Sequence, residues 1–188
     1  MMRQLFFIIA LIGAFSLARA VKAETLKTNT VTLGAAGALE ILTPPDWTLV
    51  QTNLNVPDNP PTYEVHSPRD RIVIRLFIRW DGFGGTAIKP TEAQMSKIVS
   101  NNIVVQYLPG AVEKTFDLEK FHGPAANGIF ARITDAHWTL LIKDTYPNIT
   151  EGMFRSGNIW ANFSMLTHDK NGPEFKAGLK VLESIRHQ

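Results

Sequence analysis

Three arginines spaced four apart, Arg71, Arg75 and Arg79, with Val73 and Phe77 between them, are the residues of this chain best arranged to hold another molecule. In an extended strand they share one face. Successive guanidinium stems then start about 13 Å apart at 3.3 Å per residue, too far for one small anion to engage all three. An extended acidic partner fits that spacing, with arginine suited to bidentate carboxylate recognition and Phe77 serving as an apolar anchor. The plainer alternative is a solvated sheet face whose arginines pair with neighbours such as Glu64 or Asp135, contacts that are individually weak.

Other residue types that do chemistry are present without the spacing that chemistry needs. The five histidines, His66, His122, His137, His168 and His187, form no pair three or four residues apart, so no metal site is expected. His137 shares a strand face with Asp135 and opens a hydrolase reading, although no nucleophile is positioned beside the pair. The glycine-rich run Asp81-Gly82-Phe83-Gly84-Gly85-Thr86 lacks the lysine and spacing of a phosphate-binding loop and reads as a mobile loop near a binding edge. Asn148-Ile149-Thr150 and Asn162-Phe163-Ser164 match the glycosylation sequon, the second inside an expected strand, and both are incidental in a chain whose leader has a bacterial look. Trp47, Trp80, Trp138 and Trp160 fall in expected strands, where core packing accounts for them. No catalytic residue and no cofactor are expected.

The start of the chain supplies an address. Arg3 is followed by an uncharged run from Gln4 to Ala18 and then by small residues, the form of a secretory signal peptide. Its 15 residues fall short of the roughly 20 needed to span a bilayer, so no stable membrane insertion is expected after cleavage. Ala18-Arg19-Ala20 and Val21-Lys22-Ala23 both suit signal peptidase, and cleavage after Ala23 is preferred. Loss of Arg3, Arg19 and Lys22 moves the formal net charge from +2 to −1, which removes the compositional case for a nucleic-acid partner. The chain has no cysteine, so disulfides, thiolate metal sites and lipid attachment at an N-terminal cysteine are excluded. Residues 24–188 are enough for one globular domain with a substantial core.

The remaining pattern is that of an α+β domain. Two strands are expected within residues 30–51 about a turn at Gly34-Ala35-Ala36-Gly37, another over 47–50 after Thr43-Pro44-Pro45-Asp46, and another over 63–66 before a turn at Ser67-Pro68-Arg69-Asp70. Residues 71–80 alternate cleanly: Ile72, Ile74, Leu76, Ile78 and Trp80 against Arg71, Val73, Arg75, Phe77 and Arg79. Thr91 with Gln94 forms a capping box, and Met95, Ile98, Val99, Ile103 and Tyr107 recur at helical spacing, predicting a helix over 91–108. Strands are expected near 113–121, 128–135, 136–143 and 158–167, and a closing helix over 173–186 with Phe175, Leu179, Leu182 and Ile185 on its apolar stripe. This order implies a mainly antiparallel sheet with two principal helices.

Two stretches carry a family likeness. Leu42-Thr43-Pro44-Pro45-Asp46-Trp47 is similar to an early strand that ends in proline before a tryptophan begins the next, with Asp46 where those proteins often have glycine. Residues 161–166 followed by the 175–185 helix are similar to a terminal strand and amphipathic helix. Together they resemble the PsbP-like α/β/α sandwich superfamily, which includes envelope proteins of the DcrB type. The resemblance implies a binding or assembly scaffold rather than an enzyme and assigns no site residue. The expectation is a periplasmic or secreted accessory protein that binds a protein of the cell envelope. A small-ligand carrier, with its pocket between the sheet and the 91–108 helix, is the alternative, and a hydrolase using His137 and Asp135 comes after it.

Overall fold

The computed structural model describes residues 25–53, 61–82, 88–137 and 145–188. The expected signal peptide, Trp138 and most of the glycine-rich run lie outside them.

The chain begins with a hairpin of β1 (Lys27–Thr32) and β2 (Ala38–Thr43), turned where Gly34 and Gly37 take φ of 61° and 85°. Gly37 is also close to the carboxy terminus, since a Cβ there would stand 2.6 Å from the Gln188 carbonyl oxygen. A larger sheet contains β3 (Thr48–Gln51), β4 (Thr62–His66), β5 (Ile72–Trp80), β6 (Glu119–His122), β7 (Asn127–Thr134), β8 (Asn148–Ser156) and β9 (Ile159–Thr167). Its order is β3-β4-β5-β9-β8-β7-β6, antiparallel throughout. The last strand, β10 (Arg186–His187), returns to pair with β2 and completes a small three-stranded sheet.

Helices α1 (Glu92–Asn102) and α2 (Pro173–Ser184) pack on opposite faces of the large sheet. The alternation of β5 determines which side is which. Ile72, Ile74, Leu76 and Ile78, all fully buried, join Phe163, Met165, Phe175 and Leu182 in the core shared with α2 and the small sheet. Gly178 makes that approach possible, because a Cβ there would lie 2.3 Å from Met165 Sδ and 2.5 Å from Ile72 Cδ1. On the other face Met95, Val99 and Ile103 pack on Ile129, Ala131, Ile133, Met153 and Trp160. The architecture is an α+β sandwich, and no helix among the described residues is long and apolar enough to cross a membrane.

Several elements depart from the sequence pattern. The capping box forms as expected, with Gln94 N donating to Thr91 Oγ1 (3.3 Å) and Thr91 N to Gln94 Oε1 (2.8 Å). Beyond Asn102, however, residues Ile103–Tyr107 wind as a π-helical turn. A side chain every fourth residue drifts around a regular α-helix, and the wider turn brings Tyr107 back over the sheet in line with Ile103. The strand expected over 113–121 shortens to β6, since Glu113 instead uses its carboxylate to hold Thr134 and Lys170. Ala136 and His137 form a turn rather than the start of a strand, and residues 138–144 lie outside the described part. Strand β8, between β7 and β9, is absent from the sequence expectation altogether.

Candidate functional site

α1 packs on β7 and β8, leaving β3, β4 and β5 uncovered by a helix on that face. Arg75, Phe77 and Arg79 stand there, exposed, while Val73 at the end of the same row of alternate positions is buried. Phe77 is 37% exposed, with Thr62 on β4 and Asn162 on β9 at the paired positions. Arg79 pairs in register with buried Trp160, and Trp160 with Arg155 on β8, so two arginines flank one indole across the sheet. Among the described residues Arg79 has no hydrogen-bond or ion-pair partner.

Arg75 is partnered. Its Nε donates to Glu64 Oε1 (2.8 Å), the pairing that the sequence offered as the plainer alternative. Glu64 in turn meets His66 Nε2 at 3.0 Å, and His66 Nδ1 meets Asp70 at 3.0 Å, so a chain of polar contacts runs from β5 across β4 to the turn after it. Arg71 stands elsewhere. Its backbone is helical (φ −68°, ψ −24°), β5 begins one residue later, and its guanidinium reaches Glu174 in the first turn of α2 at 3.4 Å. The turn before it is tight enough to hold Arg69 and Asp70 at positive φ, and this ends the alternation that would have aligned Arg71 with Arg75. The structure therefore brings together Arg75, Phe77 and Arg79 and leaves Arg71 on the α2 side.

The sequence pattern missed one member of this face. Glu151, on β8, is 7% exposed and is the one buried acidic or basic residue among the described residues. Its Oε2 accepts from Ser164 Oγ at 2.6 Å and from Tyr107 OH at 3.4 Å. Burial pushes this carboxyl up to about 7, and the two hydroxyl bonds, which favour the ionised form, do not offset it. Burial, followed by the Glu151 charge and hydrogen bond, likewise raises the Tyr107 phenol. A signal existed in the sequence: Met153-Phe154 after Gly152 is strand-like, and extending that strand back two residues places Glu151 on the Met153 face.

The alternative sites fare differently. The Asp135 carboxylate accepts from the His137 backbone N at 2.8 Å and lies 3.5 Å from the ring, which is 82% exposed, so the pair closes a surface turn. Where the carrier reading needs a pocket, the α1 interface is filled by Met95, Val99, Ile103, Met153 and Trp160. Grooves occur elsewhere, one of about 430 Å³ between β2, α2 and the Pro124-Ala125 turn, and one of about 490 Å³ beside Trp47 and Arg71. Among the described residues no group of three or more His, Asp or Glu is placed to hold a metal ion.

The layer order and sheet topology have a solved counterpart. The solution structure of cyanobacterial PsbP (CyanoP) from Synechocystis sp. PCC 6803 superposes with a TM-score of 0.52 at 12% identity, covering 94% of this chain and all of that one. The fold is PsbP-like. At that identity the likeness speaks for the PsbP-like fold alone. No protein-family model matches the sequence, and no curated protein does.

Proposed function

We propose that this chain is an exported, non-catalytic accessory protein, one globular domain over residues 24–188, that binds an envelope protein through the uncovered part of its sheet. The observation that carries the reading is the exposed row Arg75, Phe77, Arg79 on a sheet face that α1 covers only in part. Two guanidinium groups set about 13 Å apart with a phenyl ring between them suit an extended acidic segment of a partner. Arginine in such a place offers two parallel donors to each carboxylate, and among the described residues Arg79 has no ion pair. The PsbP-like fold is consistent with an accessory role. The leader over residues 1–23 supports export to the periplasm.

Affinity purification of the mature protein from its native envelope tests the reading when three proteins are run in parallel. The wild type is expected to retain a partner that the combined Arg75→Ala, Phe77→Ala and Arg79→Ala protein loses, while Arg71→Ala retains it. Equal recovery with the combined variant would remove this face from consideration.

A further inference from the structure

Arg75 belongs to a row of side chains that crosses four strands. Glu64, Arg75, Ser164 and Glu151 occupy paired positions on β4, β5, β9 and β8 and point to the same face. With strands about 4.8 Å apart, the Arg75 and Glu151 backbones are separated by about 10 Å, within the combined reach of the two side chains. In the structure Arg75 turns away from Glu151 and toward Glu64, while Ser164 and Tyr107 hold the Glu151 carboxyl. The Tyr107 hydroxyl, 3.4 Å from Glu151 Oε2, is also near enough to Arg75 to feel its charge.

We propose that the proton on Glu151 decides whether Arg75 is available to an acidic partner. The inference rests on the docking reading given above and adds its regulation. With Glu151 neutral, Arg75 has a single carboxylate neighbour in the row and keeps donors free for a second, because a guanidinium carries five. Ionised Glu151 adds a poorly solvated negative charge two strands away. That charge draws Arg75 inward and repels a carboxylate arriving above Ser164, so both effects weaken docking. Among the described residues the other charged or titratable groups on this face are Tyr107 from the turn after α1, His66 on β4, Asp70 beyond His66, and Arg79 and Arg155 four residues along β5 and β8. Strand β7 contributes Ala131 at the paired position and no charge. The placement of the carboxyl at about 7 sets the change near neutral pH.

The test uses a labelled hexa-aspartate peptide, whose carboxylates stay ionised across the range, with anisotropy read at about pH 6 and about pH 8 at fixed ionic strength. Wild type is expected to bind about two- to fivefold more tightly at the lower pH, the size of one partly exposed ion pair. Glu151→Gln, which mimics the neutral carboxyl at nearly the same volume, is expected to bind equally at both. His66→Gln is expected to keep the wild-type dependence. Saturating peptide should also raise the midpoint of the Glu151 side-chain carbon resonance by the same factor, as linkage requires. A Glu151→Gln protein that keeps the pH dependence, a His66→Gln protein that loses it, or a midpoint unmoved by peptide overturns the regulation. Binding by Arg75→Ala equal to wild type, or no binding by wild type at either pH, instead overturns the docking reading on which it rests.

Discussion

Glu151 is a residue whose cost is visible in the fold. A carboxyl that ionises at about 7 in the native state and near 4.5 when unfolded destabilises the native state as pH rises between those values. The unfolded chain loses that proton first, so stability is full below about 4.5, falls across the interval and is level above about 7. At 1.36 kcal/mol per unit the loss is about 3 kcal/mol. Glu151→Gln should therefore be more stable than wild type at about pH 8, by up to ~3 kcal/mol, and nearly equal to it at about pH 4.5. Urea titrations at the two pH values measure the difference, and an equal gain at both would show that ionisation is not its source. Exposed Arg79 is expected to behave otherwise: Arg79→Ala should change stability by less than about 0.5 kcal/mol, whereas Phe77→Ala removes a ring only 37% exposed and should cost about 1 kcal/mol.

Among the elements, α1 and α2 were legible in the sequence and β8 was not, and the difference is physical. Thr91, Gln94 and the Met95, Val99, Ile103, Tyr107 stripe announce α1 because one side of it is wet and the other packed. β8 is covered on both faces, so the alternation that reveals a half-buried strand is missing, and it carries Asn148, Thr150, Glu151 and Arg155. Asn148 and Glu151 are answered only in three dimensions, and the buried Thr150 hydroxyl has no hydrogen-bond partner among the described residues. Asn148 Nδ2 donates to the Thr167 and His168 carbonyls, and Glu151 waits for Ser164 and Tyr107. The same applies to the candidate site. Arg75, Phe77 and Arg79 follow from strand alternation alone, whereas Arg71 is displaced by a turn whose backbone the sequence pattern does not specify. For α2, Gly178→Ala should lower stability by about 1–3 kcal/mol through overpacking on Met165 and Ile72, although alanine in a helix is worth about 1 kcal/mol more than glycine. For α1, Thr91→Ala should cost about 1 kcal/mol through loss of the cap. Thermal or urea unfolding measures both, and a stabilised Gly178→Ala protein would mean that α2 can move outward without cost.

Across the whole molecule the shifted carboxyls give the pH profile a direction on each side. Burial would raise Glu113, but the bonds from Lys170 and from the Thr134 amide and hydroxyl outweigh it and hold this carboxyl at about 2. Its contribution is present above the unfolded value near 4.5 and is lost as pH falls toward 2. Glu40, held down by its bond to Arg186, and Glu92, held down by Lys120, act in the same sense. With Glu151 removing stability as pH climbs from 4.5 to 7, the carboxyls place the maximum at about pH 4–5, below the range common for globular proteins. Melting temperature followed from about pH 2 to 9 reads this directly, and the Glu151→Gln curve should lose only the descent on the alkaline side.

The two residues of β10 carry a consequence for how the molecule is made. They close the sheet begun by β2 almost at the start of the chain, Arg186 beside Glu40 and His187 beside Leu39, and the Gln188 N donates to the Ala38 carbonyl. Leu39 and Ile41, fully buried in the finished core, find Val181, Leu182 and Ile185 only when the other end of the chain arrives. A nascent chain therefore carries an unfinished sheet edge and two unsheltered side chains until residues 181–187 have been translated.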